Sequence, residues 1–238
     1  MNVSTGLPDG RTFDALYPRP VFGYNDGMSL VDVNLPDAMA AVGDEESAFL
    51  READRRINEY LDGRSNRNGH GFVPSDFVAV HSALRAIADG AVAPGNTFCE
   101  WGSGLGVVAS LAAMLGFDAW GIEIDRDLVA ASEVLVDEFD LPVSFVCGNF
   151  IPPGGDVCAD DAGELGWLAM GGANAYDEMA LDPEDFDVIF AYPWPGEERV
   201  IAEMFDRHAA VGAVLLTYHG LEGMRLRRKL LDGAARRN

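Results

Sequence analysis

The sequence predicts an α/β protein, a three-layer αβα sandwich whose mainly parallel sheet is covered by helices on both faces. Two observations carry this prediction. From residue 97 onward, short apolar runs alternate with longer segments of helical period, and such strand-helix-strand units bring their strands side by side in parallel. The first of those apolar runs passes straight into a glycine-rich turn, Gly102-Ser-Gly-Leu-Gly106, just before a helical segment. A chain of 238 residues is long enough for one domain of this kind over residues 71–238, with an extension over residues 1–70.

Taken in order, residues 1–43 are rich in Pro, Gly and Asp, with one hairpin-like stretch, Val21 to Val33, turning at Asp26-Gly27. From Asp44 to Leu61 the apolar residues Phe49, Leu50, Ala53, Ile57, Tyr60 and Leu61 share one helical face behind an acidic first turn, and Gly63 can end the helix. A polar loop, residues 64–71, leads to Phe72-Val-Pro-Ser-Asp-Phe77, where Ser75 is the expected N-cap of a helix reaching Ala88. Strands follow at Thr97–Glu100, Ala119–Ile124, Val143–Cys147, Val188–Ala191 and Ala213–Tyr218. Helices are expected at Val107–Leu115, Arg126–Phe139, Glu197–Ala209 and, last, Leu221–Leu231. The stretch 151–186 breaks this rhythm around a short apolar piece, Leu165–Met170, and long inserts of this kind are commonly functional loops.

Composition narrows the classes of partner. Apolar residues form 48% of the chain, which is ample for a buried core. The formal net charge of −22 opposes general binding to phosphate backbones or anionic membranes. Lys229 is the sole lysine, and Arg225, Arg227, Arg228, Lys229, Arg236 and Arg237 crowd the last stretch of the chain. That basic run reads as a solvated amphipathic helix or, alternatively, as an anion or RNA site. Cys99, Cys147 and Cys158 lie far apart without metal-ligand spacing, so no metal site is expected. With no long apolar run and no leader-like start, a cytoplasmic protein is expected.

The glycine turn indicates a ligand. Glycines let the backbone turn sharply and approach a bound group closely, and the following helix start offers free N–H groups. In open α/β sheets ligands bind beyond the carboxyl ends of the strands, where this turn lies. The dinucleotide fingerprint G-x-G-x-x-G needs glycine at position 107, which is Val107 here. Glu100 is also poorly suited to a pyrophosphate but suited to a cationic amino group.

Glu100-Trp-Gly-Ser-Gly-Leu-Gly106 after a strand resembles motif I of the Rossmann-like, class I S-adenosylmethionine-dependent methyltransferases. The resemblance spans about residues 72–220. It implies that the loop holds the methionine part of S-adenosylmethionine, that Glu123 of Gly121-Ile-Glu-Ile-Asp125 takes both ribose hydroxyls, and that Asn149, in place of the commoner Asp, lies near the adenine. Two acceptor oxygens on Glu123 suit a vicinal diol. The cofactor-binding set implied is Glu100, Gly102, Ser103, Gly104, Gly106, Glu123, Ile124, Asn149 and Phe150. A weaker resemblance, carried by Phe72-Val-Pro-Ser-Asp76 with the loop and Gly121–Asp125, is to small Dot1-like protein-lysine methyltransferases.

The resemblance puts the reaction face at the end of the fourth strand, here Tyr192, Pro193 and Trp194 followed by Pro195, where amino-group methyltransferases often carry N-P-P-Y. Tyr192 replaces that Asn, which argues against a nucleobase amine. Tyr192 and Trp194 can flank an ammonium or planar acceptor, a cation over such a ring gaining about 0.5–2 kcal/mol; equally, both rings can simply pack the loop. Glu197 and Glu198 can attract a basic acceptor or merely favour the following helix start. A lysine acceptor must first lose a proton, at a cost of about 4–5 kcal/mol from a pKa of roughly 10.4. The acceptor is therefore left open between a small molecule and a basic protein side chain. His70, His81 and His208 are expected to be solvated or capping, whereas His219 follows the fifth strand and can reach the site. Two further classes stay open: a catalytically silent S-adenosylmethionine binder and an NAD(P)-dependent oxidoreductase. The usual last two strands of this family find little room after residue 220, and the 21–33 hairpin is one candidate to fill that edge.

Overall fold

The computed structural model describes residues 29–35, 41–64, 72–155 and 172–231. Strand β1 (Leu30–Asp32) precedes helices α1 (Asp44–Arg64) and α2 (Phe77–Asp89). The alternating part follows as β2 (Thr97–Trp101), α3 (Val107–Met114), β3 (Asp118–Glu123), α4 (Arg126–Glu138) and β4 (Val143–Cys147). Helix α5 (Ala175–Met179), β5 (Val188–Ala191), α6 (Glu198–His208), β6 (Val214–Tyr218) and β7 (Met224–Lys229) complete the chain. The strands form one sheet in the order β1-β7-β6-β5-β2-β3-β4. Strands β2 to β6 run parallel, and β7 is antiparallel to both of its neighbours. This is a Rossmann-like αβα sandwich, as expected.

The central strands are apolar on both faces because both are covered. On one side Phe98, Phe190, Val188 and Leu216 pack beneath α1, α2, α3 and α4; on the other Cys99, Ile189, Ala191 and Leu215 pack against α5 and α6. Helix α1 belongs to the first of these cores, since Phe49, Ala53 and Ile57 on its expected apolar face are all buried. Phe49 meets Phe139 edge-on with centroids 5.2 Å apart, and Arg56 pairs with Glu138 at the end of α4. The cap of α2 is Asp76 rather than Ser75: its carboxylate accepts from the Val78 and Ala79 amides at 3.1 and 3.0 Å. The shorter serine hydroxyl, one residue earlier, gives way to a charged acceptor at the helix start.

The end of the chain differs most from expectation. Leu221–Leu231 is not a helix; a single turn at Gly220–Glu222 leads into β7. Leu226 points into the core while Arg225, Arg227 and Lys229 alternate with it, a period of two that the helix-forming preference of Arg and Lys obscures in sequence. Among the described residues, Arg225 to Lys229, the basic run is thus no solvated helix; Arg236 and Arg237 lie outside them. Arg227 is buried, and Arg225 pairs with Asp32 on β1. Strand β7 and the N-terminal β1 together supply two edge strands, with β1 in register Leu30↔Lys229 to Asp32↔Arg227. The edge for which the sequence leaves little room is therefore filled by β7 and, outermost, by residues 30–32 of the expected hairpin. The remainder of the expected hairpin, including Asp26-Gly27, lies outside the described residues, as do Leu165–Met170, Cys158 and His70.

Candidate active site at the carboxyl edge of the sheet

The glycine turn sits where β2 leaves the sheet. Gly102, Gly104 and Gly106 all have positive φ, at 74°, 55° and 69°. The amides of Gly102 and Ser103 both donate to the carbonyl of Ile122 on β3, at 2.9 Å each, which ties the turn to the neighbouring strand. A methyl group at Gly106 would lie 2.2 Å from Phe145, and one at Gly104 would lie 2.3 Å from Phe72. At Gly102 it would meet nothing within 4 Å, and this residue is exposed. Two glycines thus admit the protein's own rings, and the first leaves an open approach to the backbone.

The acids around the turn hold its amides. Glu100 is buried, and its carboxylate accepts from Ala109 in the first turn of α3 at 2.9 Å. Burial pushes this carboxyl well above the ordinary range; the Ala109 N–H opposes the shift, and the nearby Glu123 charge adds to it. Glu123, at the end of β3, accepts from Gly104 at 2.8 Å through one oxygen and from Asp125 at 2.9 Å through the other. Ser103 turns its side chain inward against Gly121, so its hydroxyl is buried. Ile124 is 43% exposed beside Glu123. Asn149 closes its own turn, accepting from Ile151 at 2.9 Å, and Phe150 stacks on Trp101 at 5.4 Å and 10°. Glu100, Gly102, Ser103, Gly104, Gly106, Glu123, Ile124, Asn149 and Phe150 therefore lie together on the ends of β2, β3 and β4, with Glu100 and Ser103 facing inward.

The ends of β5 and β6 form the adjoining part of the edge. Tyr192 packs edge-on against Tyr218, centroids 4.8 Å apart, and its hydroxyl lies over Gly220. Burial, with Tyr218 beside it, raises the Tyr192 phenol above its ordinary pKa. Pro193 is buried, while Trp194 is 40% exposed. Glu197 folds back so that its carboxylate accepts from the Trp194 amide at 3.1 Å, and Glu198 accepts from Gly196 at 2.9 Å. Both acids thus bond the backbone of the turn that opens α6. His219 Nε2 lies 2.7 Å from the buried Thr217 hydroxyl. Burial, followed by the positive charges of Arg227 and Arg225, lowers the His219 pKa to about 4. His81, expected at the surface, is buried on α2 with Glu46 3.7 Å away, because the face of α2 that carries it is covered by the core.

Three neighbours escaped the reading of the sequence. Phe72 fills the space at Gly104, Tyr60 meets Phe72 edge-on with centroids 6.1 Å apart, and Tyr218 pairs with Tyr192. Tyr60 carries a signal in sequence only as part of the apolar face of α1, and Phe72 only as the start of Phe72-Val-Pro-Ser-Asp76. Tyr218 was read as the last residue of a strand.

No protein-family model matches the sequence, and no curated protein matches it. Solved structures similar to this chain include an RNA methyltransferase from Salinibacter ruber in complex with S-adenosyl-L-homocysteine, at 19% identity and a TM-score of 0.45 over 66% of this chain and 94% of that one. A methyltransferase from Geobacter sulfurreducens is similar at 15% identity and a TM-score of 0.48 over 80% of this chain and 93% of that one. An O-methyltransferase from Bacillus cereus in complex with S-adenosylhomocysteine is similar at 13% identity and a TM-score of 0.45 over 76% and 68%. At such scores these likenesses leave any functional assignment to the chain's own residues.

Proposed function

We propose that this protein is an S-adenosylmethionine-dependent methyltransferase. The observation that carries the reading is the turn itself: Gly102 holds its backbone open at positive φ, while Glu123 at the end of the next strand grips the same turn through Gly104. A ligand approaching Gly102 meets bare backbone, and a diol reaching Glu123 meets a carboxylate whose remaining lone pairs can accept from it. Val107 is buried as the first residue of α3, where the dinucleotide register would need glycine, which weighs against an oxidoreductase. The proposed donor set is Glu100, Gly102, Ser103, Gly104, Gly106, Glu123, Ile124, Asn149 and Phe150. Of these, Glu100 and Ser103 act by shaping the turn.

The bound donor would supply an activated methyl group, so the chain's task is to hold the acceptor in line with it. Tyr192, Pro193 and Trp194 are the proposed acceptor residues, with Tyr218 supporting Tyr192. Among small molecules and basic side chains, an aromatic or other uncharged small molecule is favoured. Glu197 is buried, and both it and Glu198 spend one oxygen on a backbone amide of their own turn, which leaves less of either carboxylate to take up the proton of a lysine acceptor. Incubation of the protein with isotopically labelled S-adenosylmethionine and a cell lysate, followed by mass spectrometry of proteins and metabolites, tests this reading. Label is expected in a metabolite fraction, with transfer reduced in Trp194→Ala. Binding of the donor without transfer to any component would leave a silent binder instead.

A further inference from the structure

The turn that follows β4 is held from outside by a segment further along the chain. Asn149 and Asn174 form a parallel bridge beyond the end of β4: the Asn149 amide donates to the Ala173 carbonyl at 2.8 Å, and the Asn149 carbonyl accepts from the Ala175 amide at 3.1 Å. Gly148 makes room for this contact, since a methyl group there would lie 2.9 Å from the Ala173 carbonyl oxygen and 3.0 Å from Ala175 Cα. Gly172, exposed and at positive φ, lies beside Ile124 of the proposed donor set, whose Cδ1 a methyl group would meet at 3.6 Å. Residues 172–175 therefore adjoin the ends of β3 and β4 together, on the side that the proposed function assigns to the adenine.

Within that segment the half-buried Asn174 side chain makes two bonds of opposite sense. Its Oδ1 accepts from the Tyr176 amide at 2.9 Å and caps α5, which leaves Nδ2 to donate to the Ile151 carbonyl at 3.4 Å, 23 residues back in sequence. Asn149 Oδ1 accepts from the Ile151 amide at 2.9 Å, so the two polar groups of the Ile151 backbone are held by one asparagine each. Phe150, between Asn149 and Ile151, has its ring stacked on Trp101. A turn fixed in advance loses little freedom when it meets a planar base, so its groups can be selective for the edge of that base. We propose that Asn174 is a positioning residue for the adenine end of the methyl donor, fixing the Asn149–Ile151 turn so that it tells adenine from other planar bases. This rests on the donor reading above.

Calorimetric titration of the full chain with S-adenosylhomocysteine and with S-inosylhomocysteine tests it, the second ligand carrying a carbonyl oxygen where the base of the first has its amino group. The two ligands have the same charge, so a charge introduced by substitution acts on both alike. The wild-type chain is expected to prefer S-adenosylhomocysteine. Asn174→Asp keeps an oxygen for the Tyr176 amide, and with it the helix cap, but loses the donor to Ile151. Its melting temperature is expected to stay near that of the wild type while its preference for S-adenosylhomocysteine falls about 2- to 10-fold, the net worth of one hydrogen bond. Asn174→Ala is expected to lose the cap and the preference together. An unchanged preference in Asn174→Asp would overturn the proposal and leave Asn174 a helix cap, with the donor reading intact, and so would a wild-type chain that binds the two ligands equally. If the wild-type chain binds neither ligand, both readings fall together.

Discussion

Gly102 and Gly106 share a left-handed backbone for different reasons, and substitution separates them. Alanine at either position carries a strain of about 1–2 kcal/mol. At Gly106 it also drives a methyl group into Phe145, and overpacking adds about 1–3 kcal/mol. Gly106→Ala is therefore expected to lower the melting temperature several degrees more than Gly102→Ala, measured by calorimetric melting. For donor affinity the order reverses relative to stability, since Gly102→Ala places its methyl in the open approach and is expected to cost at least tenfold in a titration. Glu123→Ala removes the acceptor for two backbone amides as well as the ligand's. Hydrogen bonds to a charged group contribute about 1.5–3 kcal/mol, so both the melting temperature and the donor affinity are expected to fall.

His219 gives a pH signature at the same scale. Its folded pKa of about 4 lies below the ordinary histidine value, so between pH 6.5 and 4 the unfolded chain binds the proton that the folded chain refuses. Its stabilising contribution is present above pH 6.5 and is lost as pH falls toward 4. Burial of Glu100 acts in the opposite sense, because a raised carboxyl pKa favours folding at low pH. The two separate in a variant: His219→Gln is expected to lose less stability than the wild type on acidification from pH 6.5 to 4, followed by denaturant titration at each pH. Equal slopes would contradict the neutral, half-buried imidazole.

At the scale of elements, the parallel part of the fold was legible because each signal agreed with its neighbours. Apolar runs at 143–147 and 188–191 became β4 and β5 with the same bounds, and α1 appeared on the face marked by Phe49, Ala53 and Ile57. The last strand was not legible. Arg225, Leu226, Arg227 and Arg228 satisfy helix and strand patterns alike, and only pairing with β6 on one side and β1 on the other decides between them. Strand β6 is the immediate neighbour in sequence, but β1 comes from the other end of the chain, and a pairing that distant leaves no local trace. Phe72 and Tyr60 went unread at the site for the same reason, whereas Glu100, the three glycines and Glu123 could be read because they are adjacent to strand ends. Since Phe49 is fully buried, Phe49→Ala is expected to cost about 3–5 kcal/mol in denaturant unfolding, the loss of a well-packed core ring.

Over the whole molecule, charge is the dominant feature. A net −22 makes the compact state repel itself, and salt screens that repulsion. The exposed ion pairs that salt also weakens, such as Arg199 with Glu203, are individually worth little. The melting temperature is therefore expected to rise with sodium chloride between roughly 10 and 500 mM, over which the screening length shrinks from about 30 Å to a few ångströms; a fall would show that attractive pairs dominate. No helix among the described residues is long and apolar enough to cross a membrane. The same acidity suits a small, uncharged acceptor better than a phosphate backbone.

The central claim is that the turn at Gly102–Gly106 with Glu123 holds a methyl donor, and calorimetric titration of the intact chain with S-adenosylhomocysteine and with NAD tests it most directly. The account predicts saturable binding of S-adenosylhomocysteine at one site per chain, lost in Glu123→Ala, and no binding of NAD. Saturable binding of NAD with none of S-adenosylhomocysteine would contradict it.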